Sequence, residues 1–288
     1  MTAIRKTYRD GRWGQLHLRL TLPEPADRAN AAPPPLVLLH QTPKSGWIWE
    51  PMFPHFPDRA VIAPDTPGYG ASDAPSAPFA IDDVADEMAG LVRTLQDGNL
   101  LPGGQIDIMG YHTGSVTALA LARRHPALVR RIVCTSLPLY DRADRVARLA
   151  ALPECPTLDE NGSHLLQVWN AIRVFTDHRA SLAWRQASLT ENLRSGPARF
   201  IGYRAVYRHD LHAELAALAH PMLLLNPHDD LFDQTRSART HAPDCAYLEL
   251  PGLAHGLFEI APAMIAAAVR EFLDGNTARL PFSSERRN

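Results

Sequence analysis

One short segment of the chain combines a chemically active side chain with the residues of a tight turn. The pentapeptide GYHTG, residues 110–114, follows an apolar run and precedes a helical pattern. Glycines at its two ends permit a sharp turn from a strand into a helix, and such a turn presents its central side chain at the end of the sheet. The central residue is His112. A neutral imidazole at this position can attack an activated acyl carbon or move a proton.

Two further residues complete a set of side chains for acid–base chemistry. Asp230 lies in the acidic loop after the apolar run 222–225, and His255 lies in the loop after the next apolar run. A carboxylate that holds one ring nitrogen of a histidine fixes its tautomer and orients it as a general base. His112, Asp230 and His255 are therefore candidates for one site of acid–base chemistry. Asp229 is the alternative acid, because a shift of one residue in the loop exchanges the two.

These loops are distant in sequence, and the fold must bring them together. The pattern of apolar residues predicts a fold that can do so. Apolar runs alternate with amphipathic helical segments, which is typical of βα units and a mostly parallel sheet. The helical segments include 81–95, 115–124 and 262–273. The predicted strands are 16–22, 36–39, 60–63, 105–109, 132–135, 222–225 and 246–250. Because ligands of open α/β sheets bind outside the carboxyl ends of the strands, we expect the three side chains to meet there.

The strand pattern stops between residues 139 and 219, where helical patterns take over. We predict a helical cap over 139–219, an α/β core formed by 1–138 and 220–275, and a tail over 276–288. The aromatic residues expected on the inner face of the cap indicate an apolar or aromatic substrate, although packing of the cap explains them equally well. They are Trp169, Phe175, Trp184 and Tyr207.

Composition and charge exclude several classes of protein. Apolar residues make up 45% and charged residues 21% of the 288 residues, as in ordinary globular proteins. The net charge of −2 lacks the basic excess of nucleic-acid-binding proteins, so we expect a small-molecule partner and no nucleic acid. The three cysteines are far apart, which predicts reduced thiols. No signal-peptide pattern opens the sequence and the longest nearly apolar run, 260–269, is shorter than a bilayer requires, so we expect a cytoplasmic protein.

The order of these motifs resembles the α/β-hydrolase fold family, specifically its capped members such as esterases, carbon–carbon bond hydrolases, epoxide hydrolases and haloalkane dehalogenases. The resemblance covers nearly the whole chain apart from the cap and tail, and it implies the chain order nucleophile, acid, histidine. It therefore implies a site of His112, Asp230 and His255, in which Asp230 holds Nδ1 of His255. One position departs from the family pattern. His112 stands where the family has serine, cysteine or aspartate. The fold expected from the resemblance is a mostly parallel, doubly wound sheet with an inserted helical cap.

The resemblance also implies roles for the neighbouring loops. The backbone amides of Thr42 and Thr113 match the oxyanion-hole positions, and Gln41 replaces a glycine there, so its side chain is a further candidate donor. Predicted substrate-binding residues are Trp47, Trp184 and Tyr207. Ser115 should point into helix packing, while Asp65 and His40 should stabilise their loops.

These assignments predict hydrolysis of an ester, lactone or related activated acyl bond of a small, apolar molecule. The pattern leaves open whether His112 is a nucleophile, a general base or an inert residue. The alternative functions are a cofactor-free lyase or proton-transfer enzyme and a non-catalytic binding protein. Two imidazoles and a carboxylate in one cleft are also a ligand set for zinc or iron, but the sequence has no HExxH pair, so we predict no metal and no cofactor. The sequence predicts no particular oligomeric state.

Overall fold

The computed structural model describes residues 3–23, 33–242 and 244–275. Eight strands form one sheet: β1 (Arg5–Gly11), β2 (Gly14–Thr21), β3 (Leu36–Leu39), β4 (Val61–Pro64), β5 (Ile106–Tyr111), β6 (Val129–Thr135), β7 (Met222–Pro227) and β8 (Ala246–Leu250). Ten α-helices accompany them: α1 (Ile81–Asp97), α2 (Thr113–Arg124), α3 (Arg142–Ala151), α4 (Ser163–Phe175), α5 (Leu182–Arg194), α6 (Ile201–Arg208), α7 (Leu211–Ala216), α8 (Phe232–Ala238), α9 (Leu257–Ile260) and α10 (Pro262–Leu273). In the described part of the chain, two 3₁₀ segments span Gly46–His55 and Gly196–Phe200.

The sheet is mostly parallel, and its strand order is β1-β2-β4-β3-β5-β6-β7-β8. Among the strand pairs of the described residues, β1–β2 and β2–β4 are antiparallel and the others are parallel. In the parallel part, Leu39 lies beside Gly110 and Tyr111 lies beside Thr135. The loops that follow β3, β5 and β6 therefore leave the sheet side by side at its carboxyl edge, where ligands of such sheets bind. The predicted α/β-hydrolase architecture is confirmed.

Alternate residues of the strands enter two different cores. Val37 and Leu39 pack on one face of the sheet with α1 and α2, while Leu36 and Leu38 pack on the other face with α10. A strand buried on both faces explains the continuous apolar runs that predicted β3 and β7. Because both faces are covered, the sheet is a rigid support for the loops at its edge.

The sequence missed β1 and the first residues of β6. β1 is the outermost strand of the sheet and is mostly exposed, so its sequence RKTYRDG carries no apolar pattern. β6 begins at Val129 rather than at residue 132 because Arg130 and Arg131, which interrupt the apolar run, have partners in the fold, the carboxylate of Asp107 and the carbonyl of Phe272. An exposed edge strand and a strand end with charged side chains both lack the alternation of apolar and polar residues that predicts a strand.

The segment between β6 and β7 contains helices α3 to α7 and no strand among the described residues. Two contacts tie this helical insertion, residues 142–216, to the loops of the sheet. Tyr203 donates a hydrogen bond to the carbonyl of Thr42 (3.0 Å), and the amide of Gly202 donates to the hydroxyl of Tyr69 (2.8 Å). The insertion therefore lies over the carboxyl edge of the sheet. The predicted tail 276–288 lies outside the described residues, and no helix in the described part of the chain is long and apolar enough to cross a membrane.

Candidate active site

The turn between β5 and α2 holds His112 in a backbone conformation that non-glycine residues rarely adopt. Its φ is 48° and its ψ is −114°. The flanking glycines are required by close approach, because a Cβ on Gly110 would meet the carbonyl of Gly114 at 2.3 Å and one on Gly114 would meet the carbonyl oxygen of Leu39 at 2.0 Å. The strained turn directs the imidazole toward the carboxyl edge of the sheet, as the pentapeptide predicted.

His112 is paired with Asp229. Its Nε2 lies 3.2 Å from Oδ2 of Asp229, whose side chain is fully buried. Ser136 donates a second hydrogen bond to the same oxygen (2.5 Å), and the amide of Leu231 donates to the other oxygen (2.9 Å). Asp229, the alternative acid predicted from the sequence, is thus the partner of His112. Hydrogen bonds to its carboxylate hold the loop in place.

His255 is paired with Asp230, which is the acid predicted for it. Its Nε2 lies 2.6 Å from Oδ1 of Asp230. The nitrogen differs from the predicted one, because Nδ1 faces the hydroxyl of Tyr111 at 3.3 Å and Nε2 of Gln41 at 3.4 Å. The two imidazole rings lie 4.9 Å apart, between centroids. The cleft therefore contains two imidazole–carboxylate pairs rather than one.

Both carboxyl groups are ionised at neutral pH. Burial raises the pKa of Asp230, but the hydrogen bond from His255 and the nearby His112 outweigh burial, and the pKa lies well below its usual range. Burial likewise opposes ionisation of Asp229, and the hydrogen bond from His112 again lowers its pKa. An ionised carboxylate only accepts hydrogen bonds, so each Nε2 carries the proton in these two pairs.

Tyr111 is the neutral neighbour of the two pairs. Burial and the charges of Asp229 and Asp230 raise the pKa of its phenol well above the ordinary value. The hydroxyl is therefore protonated, and it is available both to donate to Nδ1 of His255 and to accept from it.

Ser115, His40 and Asp65 lie where the sequence indicated. Ser115 is fully buried and exchanges hydrogen bonds with the backbone of Thr135 (2.9 and 3.1 Å), so its hydroxyl does not face the cleft. His40 accepts from the amide of Thr66 at 2.9 Å and bonds the carbonyl of Gln41. Asp65 accepts from the amide of Ala71 at 2.9 Å within its turn.

A cavity of about 270 Å³ opens above these residues, under the helical insertion. His112, Asp230 and His255 line it together with Thr42, Thr113 and Gln41. Of the predicted substrate-binding residues, Trp184 and Tyr207 line the cavity. Trp47 differs from that prediction, since it packs against Trp184 (ring centroids 5.6 Å apart) and is not among the residues that line the cavity. Trp47 therefore packs behind Trp184, on the side of that ring away from the cavity.

The cavity wall also carries cationic side chains that the sequence did not single out. Lys44 lines it and donates to the carbonyl of Ser188 at 2.8 Å and to the hydroxyl of the same residue. Burial lowers the pKa of Lys44 to about 7, against the opposing effect of Glu191. Arg199 lines the same wall, and its Nε is buried with no hydrogen-bond partner in the described part of the chain. Neither residue carried a sequence signal, since Lys44 lies in a polar loop after β3 and Arg199 lies within the helical insertion.

Residues 34–240, more than half of the chain, match the sequence model of the alpha/beta hydrolase fold. The chain therefore belongs to the α/β-hydrolase fold family. It is similar to the 2-(acetamidomethylene)succinate hydrolase of Mesorhizobium japonicum, with 24% identity over 263 residues that span 86% of this chain and 90% of that one. It is also similar to the pimeloyl-[acyl-carrier protein] methyl ester esterase of Nitrosomonas europaea, with 24% identity over 246 residues, 78% and 90% of the two chains.

Solved structures give the same fold. A hydrolase from Pseudomonas aeruginosa PA01 superimposes with a TM-score of 0.74 at 19% identity, covering 93% of this chain and 98% of that one. The enol-lactonase from Burkholderia xenovorans LB400 does so with a TM-score of 0.72 at 18% identity, covering 93% and 100%. At these identities the likeness shows the fold, and the chemistry has to be argued from the site.

Proposed function

We propose that this protein hydrolyses an ester, a lactone or a related activated acyl bond of a small molecule, at the site formed by His112, Asp229, Asp230 and His255. The observation that carries the proposal is the position of His112. Its imidazole stands on the strained turn of the family, beside a second imidazole and at the floor of a cavity. The names of the similar proteins, which are a hydrolase, an esterase and an enol-lactonase, support an acyl bond as the target.

The geometry favours direct attack by water over a covalent acyl-imidazole. Nε2 of His112, the ring nitrogen farther from the backbone, bonds the buried carboxylate of Asp229. Water between the two pairs would add its oxygen to the acyl carbon and give a proton to one imidazole–carboxylate pair, which returns it to the leaving oxygen. The amide of Thr113, at the N-terminus of α2, and the amide of Thr42 would stabilise the oxyanion.

The cationic wall indicates a substrate that carries a carboxylate, rather than the wholly apolar one that the aromatic residues suggested. Arg199 has no acidic partner within 4.0 Å among the described residues, and the ammonium of Lys44 bonds only Ser188. A half-buried guanidinium without an anion is costly, and an anionic group of the substrate would compensate it. The name of the similar succinate hydrolase, whose substrate is a dicarboxylate, agrees with this chemistry.

A panel of chromogenic esters and lactones tests the proposal. Mono-p-nitrophenyl succinate and the neutral p-nitrophenyl pentanoate should both be hydrolysed, the anionic ester with the lower KM. Intact-protein mass spectrometry during turnover should find no acyl adduct. Absence of turnover over the whole panel would contradict hydrolysis, and a stoichiometric acyl adduct on His112 would contradict direct attack by water.

A further inference from the structure

Four side chains of the site converge on one small volume. His112, Asp229, Asp230 and His255 each offer one nitrogen or oxygen atom, and these four atoms lie within 4.8 Å of one another. We propose that this His–Asp cluster binds one divalent transition-metal ion of the zinc type, and that water bound to the ion is the nucleophile of the proposed hydrolysis. The second half of the proposal rests on the proposed function, whereas binding of the ion does not.

The donor atoms select the class of metal. Two imidazole nitrogens with two carboxylate oxygens suit Zn²⁺ and related first-row ions, whereas Mg²⁺ and Ca²⁺ prefer oxygen ligands alone. Metal–nitrogen and metal–oxygen bonds of about 2.0–2.2 Å place two tetrahedral ligands about 3.3 Å apart. Nε2 of His112 and Oδ2 of Asp229 are 3.2 Å apart. Nε2 of His255 and Oδ1 of Asp230 are 2.6 Å apart, so this pair must open by a fraction of an ångström, which the exposed side chain of Asp230 permits.

Charge separates this cluster from a second group of similar composition. Asp82, His209 and Glu214 also lie close enough together to hold an ion, but Arg123 bonds both of those carboxylates (2.5 and 2.7 Å) and Arg124 bonds Asp82 (3.1 Å), so two cations already neutralise them. In the His–Asp cluster, neither carboxylate has a lysine or arginine within 4.0 Å among the described residues. Two ionised carboxylates in one cleft lack a fixed counter-charge, and a divalent cation would supply it.

The neighbours of the cluster provide the contacts that metal ligands usually have. Asp229 is held by Ser136 and by the amide of Leu231, which leaves Oδ2 directed at His112. Nδ1 of His255 faces the hydroxyl of Tyr111. When Nε2 of His255 binds an ion, its proton moves to Nδ1 and is donated to Tyr111, so the ring keeps its orientation. Metal binding at His255 therefore moves this proton from one ring nitrogen to the other without rebuilding the site.

The ion also explains how the site works without the side-chain nucleophile of the family. An ion held by four side chains would take water as a fifth ligand, lower the pKa of that water and produce hydroxide near neutral pH. In the proposed step, the oxygen of this water bonds to the acyl carbon, the acyl–oxygen bond breaks, and the remaining proton of the water goes to the leaving oxygen. Imidazole at position 112 then serves as a ligand, a role that serine cannot fill as well for this class of metal.

Metal analysis of the full chain tests the proposal. Protein stripped with a chelator should bind one Zn²⁺ per chain in a calorimetric titration, and Co²⁺ at the same site should give visible d–d absorption. His255→Ala and Asp230→Asn should each weaken Zn²⁺ binding by at least about 10-fold. Asp230 is exposed, so its variant is not expected to unfold. His228→Ala is the matched control, because His228 is an exposed imidazole of the same loop that bonds Glu249 outside the cluster.

Each outcome decides one part of the proposal. Failure of the parent to bind Zn²⁺, or equal binding by the parent and both cluster variants, would overturn the metal site. Equal rates of ester hydrolysis by stripped and zinc-loaded protein would overturn the role of metal-bound water while leaving the proposed hydrolase function intact. Zinc binding that depends on the cluster, without turnover of any ester or lactone, would contradict the proposed function alone.

Discussion

His112 and His255 face each other with ring centroids 4.9 Å apart, and each is bound to a different aspartate. The two aspartates are adjacent in sequence but differ in environment. The side chain of Asp229 is fully buried, whereas that of Asp230 is 43% exposed. One carboxylate is therefore buried beneath the cavity and the other lines it, so stability and activity should depend on them differently.

Replacing each aspartate by asparagine should separate these two contributions. Asp229→Asn weakens hydrogen bonds from Ser136, Leu231 and His112 in a buried setting, and we expect it to lower the free energy of unfolding by about 1–3 kcal/mol. Asp230→Asn should change it by less than about 1 kcal/mol, since exposed pairs contribute little. Urea denaturation of both variants measures the difference. Equal destabilisation by the two substitutions would contradict the assignment of a buried and an exposed pair.

The turn that carries His112 should tolerate no side chain at Gly114. A Cβ there meets the carbonyl oxygen of Leu39 at 2.0 Å, so Gly114→Ala should cost about 3 kcal/mol or prevent folding. Gly90→Ala is the control, because Gly90 lies on the exposed face of α1 with nothing within 4 Å, and alanine there should stabilise the helix by up to about 1 kcal/mol. Thermal denaturation compares the two. A Gly114→Ala protein with unchanged stability would mean that the turn is looser than described.

How well each strand could be predicted from the sequence depends on its burial. Strands β3 and β7 could be predicted because burial on both faces leaves continuous apolar runs, whereas β1, an exposed edge strand, leaves no such pattern. Loop motifs placed His112 and His255 near the same edge of the sheet. They predicted the pairing of Asp230 with His255, but they did not indicate that Asp229 pairs with His112, because the family pattern contains one acid for one histidine.

The cationic wall was missed for a related reason. Lys44 and Arg199 come from segments 155 residues apart by their numbering, and only the packing of the helical insertion on the sheet brings both to one cavity. Charged side chains in loops are exposed in most proteins, so the sequence pattern alone predicts solvent for them.

Lys44 should make stability depend on pH in a defined window. Its pKa is lowered from 10.5 to about 7 by burial, so between these values the unfolded chain binds a proton that the folded protein does not. The contribution of Lys44 is therefore most favourable above pH 10.5, and it is lost as the pH falls toward 7, by at most about 1.4 kcal/mol per pH unit. Urea denaturation between pH 7 and 9 should show a smaller rise in stability for Lys44→Met than for the parent. Parallel curves would show that Lys44 is protonated in the folded protein throughout.

Arg199 should determine the preference for anionic substrates. Loss of a charged hydrogen bond of about 1.5–3 kcal/mol corresponds to roughly a 10- to 100-fold increase in KM. We expect Arg199→Gln to raise KM for mono-p-nitrophenyl succinate by this factor, and to leave KM for neutral p-nitrophenyl pentanoate nearly unchanged. Steady-state kinetics with both esters measures the ratio. A similar loss for both esters would assign Arg199 to packing of the insertion.

The central claim is that the imidazole of His112 is indispensable to the chemistry of the site. The measurement that tests it most directly is kcat/KM for one hydrolysed ester with the parent, with His112→Ala and with the control His228→Ala, after circular dichroism has established that all three are folded. We predict a loss of at least about 100-fold in His112→Ala, as for removal of a group that moves a proton or activates water, and no loss in the control. Parental kcat/KM in folded His112→Ala would contradict the account.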